Sequence, residues 1–219
     1  MYHWIEDKDF LRRAKSVCSD IVNQLVQAIN SEDVMEVRQH LVGSGAKNLV
    51  VQNASEPIDF DFNLELLDAG DYRITDCRGI KEYVRKAFNR ILNRADWGDC
   101  HDSTSALTTD KIHFKKGNQT CFSIDLCIIR VGQDGRWYRL IHDKTGLVAL
   151  DGYAWNEAQK SRGLTDKVDW LKHNDCWQEV RETYLDKKNM YLSRVDHNHP
   201  SFNVYIEAVN EVFFKYNCA

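Results

Sequence analysis

The sequence predicts an α+β fold, a mixed β-sheet flanked by helices and followed by a C-terminal helical region. Three observations carry this. Within residues 6–30, Phe10, Ala14, Val17, Ile21, Leu25 and Ile29 fall on one helical stripe. Residues 58–66 alternate strictly, with Phe60, Phe62, Leu64 and Leu66 set against Asp59, Asp61, Asn63 and Glu65. After Gly152 the character changes to helical periodicity. The expected organisation is a core over residues 1–153, including the N-terminal helix, and a helical region over 154–219.

The remaining elements follow in order. The end of 34–42, His40-Leu41-Val42, reads as a strand running into Gly43-Ser44-Gly45, with a short helix beginning near Ala46. Asp76 is a suitable cap for a helix reaching about residue 94, with Ile80, Val84, Ala87, Phe88 and Ile91 as its apolar stripe. Strands are expected over 105–114, 120–131 and 136–142, with Gly117-Asn118 and Asp134-Gly135 as hairpin turns. Helices are expected over 155–172, 175–193 and 200–217, the last with Pro200 in its first turn.

A chain of 219 residues can bury a sizeable core unaided. Its net charge of −4, with acids and bases interspersed, excludes a basic arm for non-specific nucleic-acid binding. No apolar run is long enough to span a bilayer, and the charged N-terminus is no signal peptide. The seven cysteines form no CxxC pair and no zinc spacing, which fits reduced thiols and a cytoplasmic location.

The chemistry concentrates in acids. Asp59 and Asp61, two apart on a strand, leave the same face about 6.8 Å apart along the backbone. Carboxylates so spaced can bridge two metal ions roughly 3.5–4 Å apart. A divalent cation would also relieve the repulsion between them. In Thr120–Ile129, Asp125 is the lone charge on a face otherwise made of Cys121, Ser123 and Cys127. On a strand neighbouring Asp59 and Asp61 it would complete a three-carboxylate site. A solvated sheet face is the alternative for such acids. Upstream, Gly43-Ser44-Gly45 would expose backbone N–H groups at a helix start, with the Ser44 hydroxyl and the Lys47 charge beside them, a setting for phosphate.

The order hG-S, D-h-D-h, h-D-h resembles the DNA polymerase beta-like nucleotidyltransferase superfamily, and Gly43-Ser44-Gly45-Ala46-Lys47 is similar to the GSxAR turn of small nucleotidyltransferases. Oligoadenylate and cyclic-dinucleotide synthases carry the same signature. The resemblance covers roughly residues 36–142, with Lys47 in place of arginine. It implies a nucleotidyltransferase-like sheet and an NTP co-substrate such as ATP. It also implies two Mg2+ ions, or Mn2+ instead, bound by Asp59, Asp61 and Asp125, with Gly43 and Ser44 on the triphosphate. The implied reaction moves a nucleoside monophosphate to an acceptor and releases pyrophosphate. The acceptor is open, with a small molecule or protein favoured over a long nucleic acid. An inactive nucleotide-binding or protein-interaction relative of the same fold is the alternative.

Other signals carry less. Tyr153 and Trp155 could stack on a base, though core packing accounts for them as well. Arg194 and His199 have the spacing of helical RNases, which would need a helix where Pro200 argues for a loop. Lys187-Lys188-Asn189 reads as a solvated helix face, and Glu65 as structural.

Overall fold

The computed structural model describes residues 1–158, 163–196 and 199–217. In chain order its elements are β1 (Tyr2–Trp4), α1 (Lys8–Ser31), β2 (Glu36–Leu41), α2 (Gly43–Lys47), β3 (Val51–Asn53), β4 (Ile58–Asp68), α3 (Cys77–Arg94), β5 (His101–Asp102), β6 (Leu107–Thr108), β7 (Phe122–Val131), β8 (Trp137–Asp143), β9 (Gly152–Glu157), α4 (Leu164–His173), α5 (Trp177–Ser193) and α6 (Ser201–Asn217). They divide into two compact units. One holds residues 6–48 and 57–158; the other holds 1–5, 49–56 and the chain from 159 onward.

The larger unit is a mixed sheet with helices packed on it. Strands run in the order β2-β4-β7-β6-β5, with β8 also on β7 and β9 on β8. β4 and β7 pair in parallel, and every other ladder is antiparallel. The expected α+β class and the mixed, helix-flanked sheet are what the structure contains. One sheet face is the core: Phe60, Phe62, Leu64, Ile124 and Leu126 are buried with Phe10, Ala14, Leu25, Ile80, Val84 and Phe88 of α1 and α3. α3 begins at the Asp76 cap that its sequence suggests, where the Asp76 side chain accepts from the Gly79 N–H, and α1 is capped in the same way by Asp7, which accepts from the Phe10 N–H.

Three expectations are corrected. Residues 105–114 form only the two-residue strand β6 and a single bridge from Ile112 to Phe122. β7 is shared along its length between β6 and then β8, so β6 has little ladder to occupy. The Gly117-Asn118 turn accordingly sits in a long connection rather than a tight hairpin. Residues 155–157 are strand, not helix, because β9 pairs with β8 from Gly152 to Glu157 and that ladder satisfies its backbone. The following helix starts only at Leu164.

The smaller unit has its own core. Leu49, Leu171, Val180, Tyr184, Val204, Ala208 and Val209 bury one another among α4, α5 and α6. A β1-β3 ladder, absent from the sequence reading, belongs to the same unit. The Lys187-Lys188-Asn189 run is engaged rather than merely solvated. Lys187 pairs with Glu211 at 2.8 Å, Lys188 lies over the Tyr2 ring, and Asn189 exchanges hydrogen bonds with the Tyr2 backbone. α5 ends at Ser193 and α6 begins at Ser201, so no helix joins Arg194 to His199; His197 and Asn198 lie outside the described residues. The described cysteines are free thiols. No helix among the described residues is long and apolar enough to cross a membrane.

Candidate functional site

β4 and β7 build the site. Their parallel register sets Asp59 opposite Ser123 and Asp61 opposite Asp125. Residues in register share a face, so the three acids stand together on the side of the sheet opposite Phe60, Phe62, Ile124 and Leu126. Asp59 is exposed, whereas Asp61 and Asp125 are partly buried. Asp61 is pushed up from 3.8 to about 6, first by burial, then by the charges of Asp125 and Asp59; Lys47 and Arg139 partly offset this. Asp125 is also raised, mainly by burial, against the pull of a hydrogen bond from Thr108.

The glycine turn meets these acids directly. α2 is only five residues, with Gly43 at φ 63° and Asn48 closing it in the left-handed region. The short length leaves little macrodipole, so exposed N–H groups, more than a helix dipole, are what the turn can offer an anion. The Val42 N–H donates to the Asp61 carbonyl at 2.9 Å, joining the turn to β4. The Lys47 ammonium donates to the Gly43 carbonyl at 3.1 Å, and the Lys15 ammonium to the Gly45 carbonyl at 3.2 Å. Gly43, Ser44, Lys47, Asp59, Asp61 and Asp125 therefore belong to one region of the larger unit.

Hydroxyls engage two of the acids. Thr108 Oγ1 donates to Asp125 Oδ1 at 2.5 Å, and the Ser123 hydroxyl donates to Asp59. Among the described residues, no three acid, histidine or cysteine side chains are clustered as they would be around one ion. The donor set nonetheless fits hard divalent cations. It is all carboxylate oxygen, and Asp61, raised first by burial and then by the charges of Asp125 and Asp59, is a carboxylate whose ionised form a cation would favour.

The sequence reading missed Arg139 and Thr108, and placed Ser123 on the face of Asp125 without pairing it to Asp59. Arg139 pairs with Ile129, four residues beyond Asp125 on β7, and so lies on the acid face; its Nε is buried without a hydrogen-bond partner. Only the β7-β8 register could have revealed it. Tyr153 and Trp155 fall on the opposite face, because they pair with His142 and Leu140. Tyr153 stacks on His142 at 4.2 Å, and Trp155 Nε1 donates to the Ile74 carbonyl at 2.7 Å. Glu65 is structural in form: buried, it accepts from Arg38 and lies 2.7 Å from His40 Nε2. A cavity of about 370 Å³ lined by Arg85, Asp102, His142, Lys144 and Tyr153, among others, includes none of the three acids. Its polar groups are largely bonded to one another, as His142 is to Asp102 and Asp151.

No family model matches the sequence, and no curated protein matches it. Solved structures do match. CdnC of E. coli MS115-1, solved with ATP, aligns over 98% of this chain and 67% of its own, at 14% identity and a TM-score of 0.58. The CdnE cyclic dinucleotide synthase of Elizabethkingia meningoseptica, with GTP and Apcpp, aligns over 88% and 68%, at 14% identity and a TM-score of 0.50. Vibrio cholerae DncV in its 3'-deoxy ATP bound form aligns over 81% and 45%, at 11% identity and a TM-score of 0.52. The chain thus spans about two thirds of CdnC and under half of DncV. What it shares with these proteins is the nucleotidyltransferase fold.

Proposed function

We infer that the chain is a metal-dependent nucleotidyltransferase, which moves a nucleoside monophosphate from a nucleoside triphosphate to an acceptor hydroxyl and releases pyrophosphate. The observation that carries this reading is the in-register pair Asp61 and Asp125 on parallel strands, with Asp59 on the same face. The fold neighbours support it, since among them are chains solved with ATP and with GTP.

Asp59, Asp61 and Asp125 would hold Mg2+ or Mn2+ through carboxylate oxygens. Bound ions would activate the acceptor hydroxyl and offset charge on the departing pyrophosphate. The chain's own residues do the positioning. The turn at Gly43 lies against Asp61, and its backbone N–H groups and the Ser44 hydroxyl would donate to phosphate oxygens. Lys47 and Arg139 supply positive charge on the same side as Asp61. Asp125 Oδ1 accepts from Thr108, and Asp125 would activate the acceptor hydroxyl directly or through a bound ion. A nucleotide hydroxyl is the acceptor we favour, because a fold neighbour is a cyclic dinucleotide synthase.

The test is pyrophosphate release by the purified chain, supplied with each NTP and Mg2+. Release that disappears in Asp61→Ala is the expected result. Nucleotide-dependent thermal stabilisation without release would mark a relative that binds but does not catalyse. No response to any NTP with metal would overturn the reading.

A further inference from the structure

Two of the three acids face a hydroxyl directly across a β-ladder. Asp59 is the register partner of Ser123, and Asp125 is the register partner of Thr108. In each case the hydroxyl donates to one carboxylate oxygen. A carboxylate on a strand can rotate about its terminal bond, a broad and weakly restrained motion. A donor held on the adjacent strand restrains that freedom before any ligand arrives, while each acid keeps a second oxygen that neither hydroxyl occupies.

Both hydroxyls are held by packing or by neighbouring hydrogen bonds. Ser123 is buried, between the core residues Phe122 and Ile124. Thr108 belongs to the two-residue strand β6, and its neighbour Thr109 locks that strand to β7 from both directions. The Thr109 N–H donates to the Ile124 carbonyl, and Thr109 Oγ1 accepts from the Ile124 N–H, each at 3.0 Å. So short a strand contributes little sheet area, but it does deliver Thr108 to Asp125. Asp61 has no such hydroxyl partner across β7, where Asp125 itself is opposite.

We propose that Ser123 and Thr108 are positioning residues that pre-orient Asp59 and Asp125 for divalent-metal binding. The proposal rests on the nucleotidyltransferase reading. Groups that orient metal ligands in this way typically change affinity by about 10–100-fold when removed. Isothermal titration of Mn2+ into the full chain tests it, with wild type, Ser123→Ala, Thr108→Val and Thr108→Ser compared. Mn2+ dissociation constants about ten-fold or more above wild type are expected for Ser123→Ala and Thr108→Val. Thr108→Ser, which keeps the hydroxyl, should recover most of the loss. Metal-free melting temperatures separate this from general destabilisation; if Thr108→Val does not fold, wild-type affinity in Ser123→Ala is by itself enough to overturn the proposal. Wild-type affinity in both hydroxyl-deleted variants would overturn the proposal and leave the reading intact. A wild-type chain that binds no Mn2+ and releases no pyrophosphate would overturn both.

Discussion

Gly43 and Asp61 are in contact so close that a side chain at position 43 would displace the Asp61 carboxylate. A Cβ on Gly43 would lie 2.0 Å from Asp61 Oδ2, and the backbone there has φ 63°. The glycine lets the chain fold back against the carboxylate itself.

Gly43→Ala therefore has two costs, a left-handed backbone strained by a side chain and a methyl pressed into Asp61. The expected loss of stability is about 1–3 kcal/mol, with the fold retained by circular dichroism. The sharper expectation is functional. Displacement of Asp61 should abolish Mn2+-dependent stabilisation by NTP in a thermal shift assay, whereas Gly135→Ala, at a turn with open space around it, should not.

The raised carboxyl of Asp61 makes the metal-free chain sensitive to pH. A folded-state value of about 6 against an ordinary 3.8 means that the folded chain binds this proton more tightly than the unfolded one. Its contribution is present in full below about 3.8 and is lost as pH rises through about 6. Metal-free protein should lose stability over that window, on the order of 2 kcal/mol. Asp61→Asn should flatten this part of the profile in urea unfolding series run from pH 4 to 7.

Arg139 enters the same balance as an offsetting cation beside Asp61. Arg139→Gln removes its charge, so the Asp61 transition should move to higher pH. The same unfolding series, or the carboxyl carbon shift of Asp61 followed by NMR, reads the change. A transition that stays put would remove Arg139 from the site's electrostatics.

On the other face, Lys81 is almost wholly buried and pairs with Asp102 at 2.6 Å while donating to the Ser103 carbonyl. Asp102 also bonds His142 Nδ1 at 2.8 Å. Asp102→Ala would leave a buried ammonium without its counter-ion, a change that typically costs about 3–5 kcal/mol. Denaturant midpoints should fall accordingly, and Asp102→Asn should be milder because it keeps an acceptor. A near-neutral effect would mean that water reaches Lys81.

Local patterns were legible in the sequence. The stripe of α1, the alternation of β4, the Asp76 cap and the lone charge on β7 each depend on neighbours within a few residues, and periodicity and capping chemistry act over that range. The acids of β4 could be assigned to one face because strand alternation is a local property. Three things could not be read there. Residues 155–157 joined the sheet because β8 offered a free edge, a choice made by a partner strand and not by their own propensity. Tyr153 and Trp155 turned away from the acids for the same reason, since one position of register decides which face a side chain occupies. Thr108, Ser123 and Arg139 came to the site only through pairings on β7 that bring together residues up to 64 positions apart, as with Ser123 and Asp59. By itself the sequence determined which acids share one face of β4 and of β7, and where the glycine turn falls before them. Which hydroxyls and cations surround them was decided by tertiary structure, because strand register is set by the packing of the whole sheet on its core.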